Sequence, residues 1–458
     1  MFTRFSFAAA VLVLTISAAP AQTITRAALP DAQLDALVTE ALRNAPEMAS
    51  AQANVEAAQR RIVPAQTLSD PFITTTWQND GRTPSLGSAE GSFLGVMASQ
   101  SVPWPGKLRL AGNVAASEAR EIERGSLGRA ALTLEARVRN AWYDLGLARA
   151  IDGLIDDRRT AATQIEASVR ERYAAGLAVQ QDVVRAQVEL ARLDEAKATQ
   201  AATIANRIAE LDRLIGAPQD RDVATPDLLA DDAPLPQLAS LLASVAARSP
   251  ELAASQQAID TGRARVELAK KNFLPDFTVS AGSMYRGNFE MGPMWQAGVG
   301  VSVPLWTARR QQNQLAEARA IVRGRTSDVD AIARELELRT RERFTQLDAA
   351  RHIAALYRDK VLPLDEVSLE SALASYQAAK VPFITVLDAL NTLYGDRASY
   401  ASRIAESAKW RVAIDEASLQ PTTMTGAAAM PASAAGGMAQ AAAPAAATNT
   451  TPSMNSMR

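Results

Sequence analysis

The sequence contains no cysteine and a single histidine, His352, among its 458 residues. The absence of cysteine excludes disulfides and thiolate metal sites within the chain. One histidine argues against a catalytic zinc centre and against a Ser-His-Asp triad. The chain also lacks the Gly-rich loop ending in lysine that binds nucleotide phosphates. We therefore expect no enzyme and no cofactor, and we expect His352 to be a solvated residue on a long helix.

The sequence has little net charge and only one marked apolar run. Its 48 Lys and Arg against 50 Asp and Glu give a net charge of −2, so no basic surface for nucleic acid is expected. The apolar run at 5–17 follows Arg4 and precedes Ala19-Pro20-Ala21, a pattern typical of a secretory signal peptide. A membrane-spanning helix is the alternative, but the run is too short. We predict a signal peptide over 1–21 and no lipid anchor, since no cysteine follows it.

The chain is internally repeated. Residues 41–71 recur in pattern at 245–275, and Pro46, Glu47 and Pro71 each reappear as the same residue type 204 positions later. Each copy predicts a helix, a strand hairpin, a very long helix, a turn and a long helix, so the repeat must organise the fold. The expected divisions are a first repeat over 22–216, a Pro/Asp-rich linker over 217–240, a second repeat over 241–417 and a disordered Ala/Met/Pro-rich tail over 418–458.

Each repeat contains a predicted β-hairpin, at 71–103 and at 275–304. Apolar residues alternate with small or polar ones along 295–303, as in a strand between lipid and a watery lumen. No later segment reaches the roughly 20 apolar residues of a spanning helix, so a membrane crossing would have to use strands. A half-buried soluble sheet is the alternative. Four strands cannot close on themselves, and we expect oligomerisation to close them. Tryptophans lie near the predicted strand ends, as interfacial aromatic residues do: Trp77, Trp104, Trp295 and Trp306.

Long helices follow each hairpin. The first runs for about 67 residues without proline, which corresponds to roughly 100 Å of helix. We predict helical hairpins at 107–215 and 308–417, and one helix over 31–63 before the first β-hairpin. Pro363 should kink or split the helix that contains it. Ala- and Leu-rich faces with interspersed Arg and Glu are typical of solvated coiled coils, so a pore-free structural coiled-coil protein of the periplasm is a second hypothesis.

Several segments carry recognisable motifs: 43–47 (RNAPE), 248–252 (RSPEL), 173–177 (YAAGL), and 376–389, which ends in TVLDA. Together they resemble the TolC-like outer membrane factor family, the exit ducts of tripartite efflux pumps and type I secretion systems. The resemblance covers roughly residues 30–417. The junction at 100–107 (QSVPWPGK) is similar to that of the heavy-metal branch of the family, the Cus and Czc type.

The resemblance implies a fold that combines a membrane β-barrel with an α-helical barrel. Three protomers with four strands each would form one twelve-stranded barrel in the outer membrane of a Gram-negative cell. Their long helices would form a periplasmic tunnel. The implied partners are two further copies of the chain, outer membrane lipid, a periplasmic adaptor (membrane fusion) protein and an inner-membrane transporter of the RND type.

The resemblance also implies an acidic ring where the tunnel narrows. Asp388 matches a carboxylate of the family's cation-selecting ring, whereas Thr385 stands where a second aspartate is often found. That departure halves the expected charge of the ring. An ordinary solvated helix carboxylate is the alternative for Asp388.

Two further residues match the family's closure of the pore. Asp182 matches the aspartate that links neighbouring helices, and Tyr376 matches the closure tyrosine. The arginine that often joins them is Val381 here, so we expect a weaker link or one that uses Arg185 or Lys380. A simple helix cap is the alternative for Asp182.

The turns between the long helices should dock the adaptor protein; a plain turn is the alternative. Gly176 fits a position that needs positive φ, whereas Ala379 occupies the position where the second turn would favour glycine. The expected docking residues are Gly176, Leu177, Ala178, Val179, Lys380, Val381 and Pro382.

Methionines bear on the cargo, because thioethers select Cu(I) or Ag(I). Three lie around the turn of the second β-hairpin, namely Met284, Met291 and Met294. Low complexity alone also explains spaced methionines in an Ala-rich tail. We predict a duct for heavy-metal cations, Cu(I) or Ag(I), with a duct for drugs or secreted polypeptides as the alternative. The candidate weak metal ligands of the tail are Met424, Met430, Met438, Met454 and Met457.

Overall fold

A computed structural model describes residues 32–80, 82–84, 91–218, 228, 234–286 and 292–422. The predicted signal peptide and nearly all of the predicted tail, including its five methionines, lie outside these residues. Within them, none of the helices contains a stretch long and apolar enough to cross a membrane.

The two repeats have the same order of elements. The first comprises α1 (Ala32–Asn44), α2 (Pro46–Arg60), α3 (Ile62–Gln66), β1 (Phe72–Gln78), β2 (Phe93–Val102), α4 (Lys107–Ile122), a π-helical turn (Glu123–Leu127), α5 (Gly128–Ala174) and α6 (Gln180–Ile215). The second comprises α7 (Leu238–Arg248), α8 (Pro250–Lys271), β3 (Asp276–Tyr285), β4 (Met294–Ser302), α9 (Gln311–Leu356), a π-helical turn (Tyr357–Val361), α10 (Leu362–Gln377) and α11 (Phe383–Glu416).

The single helix predicted over 31–63 is wrong, because the chain breaks at Ala45 and again at Arg61. Ala45 adopts an extended backbone, φ −66° and ψ 131°. A proline disfavours the helical conformation of the residue before it, and its missing N–H is tolerated only in the first helical turn. Pro250 produces the same break at Ser249 in the second repeat, so both copies begin with a pair of helices.

The four strands form one antiparallel sheet in the order β1-β2-β3-β4. The central pair, β2 and β3, joins the two repeats, with Val102 opposite Phe277 and Leu94 opposite Tyr285. The outer edges of β1 and β4 have no strand partner among the described residues. One chain therefore forms an open sheet, whose two edges are free to pair with other copies.

The strand register separates apolar and polar residues onto opposite faces of the sheet. Directly opposed residues share a face, and residues two apart along a strand share it as well. The apolar face consists of Ile73, Thr75, Trp77, Leu94, Val96, Ala98, Gln100, Val102, Phe277, Val279, Ala281, Ser283, Tyr285, Trp295, Ala297, Val299 and Val301. The polar face carries mostly Gly, Ser, Thr and Gln, together with Phe72, Phe93, Asp276 and three methionines. Trp295 and Val299 on the apolar face remain 82% and 72% exposed.

The long helices are continuous except for the two π-helical turns. The turn Tyr357–Val361 ends two residues before Pro363. Proline has no N–H to donate, and its ring crowds the carbonyl four residues back, so widening of the helix accommodates it. The turn Glu123–Leu127 contains no proline, and the sequence did not indicate it. There, the position of a Cβ on Gly125 would lie 2.8 Å from Cβ of Ala254, which shows a close approach to α8.

The structure shifts two of the expected boundaries. Helix α7 begins at Leu238, inside the segment that we assigned to the linker. The first residues of the predicted tail are tied to α9, since Arg343 donates to the Gln420 carbonyl (2.8 Å) and to Oγ1 of Thr422 (2.9 Å). The C-terminal end of the predicted linker is thus helical, and the N-terminal end of the predicted tail is bonded to α9. Composition alone did not indicate either feature.

Candidate pore gate and helical tips

The two helical tips have the same backbone geometry with different residues. Gly176 has φ +71° and Ala379 has φ +57°. In both turns the residue after it donates to the carbonyl five positions earlier, Leu177 to Arg172 (2.8 Å) and Lys380 to Ser375 (2.9 Å). This is the helix ending in which a left-handed residue is usually glycine. The prediction of positive φ at Gly176 is confirmed, and alanine adopts the same conformation in the second tip.

Replacing Ala379 by glycine should therefore stabilise the second tip. The left-handed conformation costs a non-glycine residue about 1–2 kcal/mol, and glycine adopts it without that cost. We expect Ala379→Gly to raise the free energy of unfolding by about 1 kcal/mol, measured by denaturant unfolding followed by helical circular dichroism. Gly176→Ala is the matched control and should have the opposite sign, because alanine at φ +71° would carry that cost. A Cβ there meets nothing within 4 Å, so no clash adds to the effect. Equal effects of both changes would contradict this account.

The tips present apolar side chains to solvent. Leu177 and Val179 are 65% and 60% exposed, and Gly176, Lys380 and Pro382 are exposed as well. The other two predicted docking residues, Ala178 and Val381, are half-buried. Val381 packs against the core beneath the tips, which is formed by buried residues of α5, α6, α10 and α11: Ile155, Ala162, Ile165, Val169, Ala186, Leu193, Ala372, Tyr376, Phe383, Val386, Leu387, Leu390, Leu393 and Tyr394.

Asp182 and Tyr376, which lie 194 residues apart, meet across the two helical hairpins. The Tyr376 hydroxyl donates a hydrogen bond to Oδ2 of Asp182 at 3.3 Å. The Tyr376 ring is buried and lies 5.4 Å, centroid to centroid, from the ring of Phe383. Burial is the main cause that raises the pKa of Tyr376, and Asp182 raises it further while Arg172 opposes the change. The hydroxyl therefore stays protonated at neutral pH and available as a donor.

The cation at Tyr376 is Arg172, rather than Arg185 or Lys380. The Arg172 guanidinium lies 5.1 Å from the centroid of the Tyr376 ring, within the range of a cation–π interaction. Its Nη1 also donates to the carbonyl of Gln377 at 2.8 Å. Helices α5 and α10 both end here, and a cation stabilises the carbonyls at helix C-termini. In the sequence, the one feature that indicates this role of Arg172 is its position in the last turn of α5.

A second link joins the helical hairpins deeper in the same core. Arg158 of α5 contacts Glu189 of α6 and Asn391 of α11 through Nη2. The Arg158 and Glu189 side chains are only 11% and 6% exposed. A buried ion pair with a further hydrogen bond depends on all of its members, because loss of one leaves a buried charge unpaired. No spacing within α5, α6 or α11 indicates that these three residues meet.

Asp388 stands apart from both links. It is exposed on α11, as is Thr385 one helical turn before it, and no ion pair of the Asp388 carboxylate is found within the part of the chain that the structure describes. A carboxylate in this state can act on passing ions by its charge alone. The two links join the helical hairpins near their tips, whereas the Asp388 carboxylate is exposed to solvent.

The proposed metal ligands of the tail lie outside the described residues. Among the residues that the structure does describe, no three His, Cys, Asp or Glu side chains are grouped so that they could hold a metal ion. His352 is exposed on α9, as expected.

The junction at 100–107 has a structural role. Gly106 has φ +93° and precedes α4, and Trp104 stacks on Phe277 at 5.6 Å. Lys107 pairs with Asp276 at 2.8 Å, and the Trp104 N–H donates to the same Asp276 oxygen at 2.8 Å. The motif thus fastens the first repeat to the first residue of β3, which belongs to the second repeat.

Three comparisons with known proteins agree with this architecture. A model of the family described as "Outer membrane efflux protein" matches residues 241–417. The cobalt-zinc-cadmium resistance protein CzcC of Cupriavidus metallidurans is 24% identical over 375 residues, 80% of this chain and 85% of CzcC. The outer membrane efflux protein BepC of Brucella suis is 26% identical over 378 residues, 80% of this chain and 81% of BepC. The crystal structure of the outer membrane protein VceC of Vibrio cholerae has a TM-score of 0.67 at 20% identity, over 84% of this chain and 96% of VceC.

The sheet and the long paired helices thus have the fold of TolC-like outer membrane channels. The chain is similar to the outer membrane efflux protein family, whose model matches the second repeat. Members of this family are passive channels and not enzymes, in agreement with the sequence prediction.

Proposed function

We propose that the chain is the outer membrane exit duct of a tripartite efflux system that exports heavy-metal cations. The observation that carries the proposal is that one chain combines two kinds of surface. It has an open sheet with one exposed apolar face, and helices of up to 47 residues that end in exposed apolar tips. Such a sheet suits lipid on one side and water on the other.

Closure of the duct would require three copies of the chain. An open sheet edge is not tolerated in lipid, because its backbone groups would lack hydrogen-bond partners. The free edges of β1 and β4 would pair between neighbouring copies, and three sheets of four strands would give twelve strands. The paired helices of each repeat would then line the periplasmic tunnel. In this proposal the first repeat spans 22–216 and the second spans 241–417, after removal of a signal peptide over 1–21.

The tips are the proposed contact with an adaptor protein. Leu177 and Val179 expose apolar surface at the end of a helical hairpin, beside the exposed Lys380 of the second tip. Apolar side chains rimmed by polar ones are typical of protein interaction sites. Transport through a passive duct needs an energy source elsewhere, which we assign to an inner-membrane transporter of the RND type.

Support for metal cargo comes from the relative CzcC, which is a cobalt-zinc-cadmium resistance protein, and from the free carboxylate of Asp388. The methionine content favours Cu(I) and Ag(I) among the candidate cations. Deletion of the gene, followed by growth across graded copper, silver, zinc and cobalt, tests this. We expect sensitivity to copper and silver that the intact gene reverses. Sensitivity to detergent and dye alone would contradict metal cargo and favour a duct for drugs.

Asp388→Asn should weaken cation selection. Because removal of a ring charge lowers the local cation concentration, we expect the cation-over-anion permeability ratio to fall by about twofold or more. The measurement is the reversal potential of single channels in a salt gradient. Asp330→Asn is the matched control, an exposed carboxylate on α9 with the same change of charge. An unchanged ratio for Asp388→Asn would remove this residue from the ring.

A further inference from the structure

Three methionines from three strands lie together on the polar face of the sheet. Met284 of β3 is directly opposite Met294 of β4. Met97 of β2 is directly opposite Gly282, two residues before Met284 on the same face. Opposed residues have Cβ atoms about 4.5–5.5 Å apart, and diagonal neighbours about 7–8 Å. Both distances are within the reach of a flexible thioether side chain.

Glycines make room for these side chains. A Cβ placed on Gly282 would lie 3.1 Å from Cβ of Met97, and one placed on Gly95 would lie 3.5 Å from Cγ of Met284. Met97 and Met284 therefore lie above backbone that carries no side chain of its own. The Met97 and Gln296 side chains meet above Gly282, where Nε2 of Gln296 donates to the Met97 sulfur at 3.4 Å. Gln296 is two residues from Met294 on the same face, so Met97 and Met294 occupy neighbouring rows of the sheet.

None of the three thioethers is enclosed in a core. Met294 is 46% exposed, and Met97 and Met284 are half-buried. Their face otherwise carries mainly Gly, Ser, Thr and Gln, with Phe72 and Phe93 as its other large apolar residues, while the apolar face carries no methionine.

We propose that Met97, Met284 and Met294 form a binding site for a soft monovalent cation, Cu(I) or Ag(I), on the polar face of the sheet. Thioether sulfur is the protein ligand that best discriminates such ions from Zn²⁺ or Co²⁺. The site would hold the ion weakly through sulfur alone, with Gln296 orienting Met97. That this face lines the lumen of a duct rests on the function proposed above; the binding site itself does not.

The test is calorimetric titration of the detergent-purified full chain with Ag(I) in chloride-free buffer, with Zn²⁺ as the comparison ion. The starting chain carries leucine at the tail positions Met424, Met430, Met438, Met454 and Met457, so that the tail contributes no sulfur. The test variant adds Met97→Leu, Met284→Leu and Met294→Leu. Met48→Leu, in the core of α2, is the control. Methionine-to-leucine changes conserve volume and should leave the fold intact.

We expect the starting chain and the Met48→Leu control to bind about one Ag(I) per chain, and the test variant to bind at least about tenfold more weakly. Equal Ag(I) binding by the test variant and the starting chain would overturn the proposal, as would Zn²⁺ binding as tight as Ag(I). The outcome is independent of the growth assay. Ag(I) binding without metal sensitivity of the deletion strain would support the site and contradict the proposed cargo. Metal sensitivity without Ag(I) binding would support the cargo and contradict the site.

Discussion

Replacing Tyr376 by phenylalanine and Arg172 by methionine should open the tip of the channel. The double change removes the hydrogen bond to Asp182 and the contacts of Arg172 with the Tyr376 ring and the Gln377 carbonyl. Phenylalanine keeps the packing against Phe383, so the core beneath the tips should persist. Each hydrogen bond to a charged group contributes about 1.5–3 kcal/mol. That is enough to change the ratio of closed to open states by about tenfold or more in each protomer.

The measurement is single-channel conductance in planar bilayers, and we expect the double variant to show larger and longer openings than the wild type. Tyr173→Phe is the matched control. Tyr173 occupies the corresponding position of the first tip, yet it is 46% exposed and its hydroxyl does not reach an aspartate in the described structure. Its loss should leave the conductance unchanged. A double variant that conducts like the wild type would show that this link does not hold the tip shut.

The second large effect is expected at Arg158. Arg158→Ala would leave Glu189 buried without its cation, and breaking a buried ion pair by removing one member costs about 3–5 kcal/mol. We expect a corresponding fall in the free energy of unfolding, measured by denaturant titration of the detergent-purified protein. The loss should concentrate in the tip core, where α5, α6 and α11 meet.

Arg159→Ala separates this effect from a general loss of charge. Arg159 is the next residue on α5 and pairs with Asp194 at 2.9 Å, but the two side chains are 54% and 60% exposed. An exposed pair contributes about 0–1 kcal/mol. Removing Glu189 as well, in Arg158→Met with Glu189→Leu, should recover most of the stability because no unpaired charge remains. Equal costs for Arg158→Ala and Arg159→Ala would contradict the role of burial.

The parts of this fold that the sequence predicted depend on local patterns. The repeat, the alternating hairpins and the long helices without proline all follow from spacing along the chain. Gly176 could be assigned a positive φ because few other residues adopt it. The family resemblance supplied Asp182 and Tyr376, and the structure brings them into contact.

The parts that the sequence missed depend on contacts between distant residues. Arg172 reaches a carbonyl 205 residues away, and Arg158 reaches Asn391 across 233 residues. No periodicity within one helix indicates which helix will lie beside it. The break at Ala45 is different, because Pro46 is visible in the sequence and a proline is tolerated only in the first turn of a helix.

The central claim is that this chain forms a gated duct in the outer membrane, and reconstitution tests it most directly. We would purify the protein with detergent, measure the mass of the complex, and record conductance in planar bilayers. The account predicts a trimer with small, brief openings that Tyr376→Phe with Arg172→Met enlarges. A monomer that needs no detergent and conducts nothing in either form would contradict it, and would favour a pore-free coiled-coil protein.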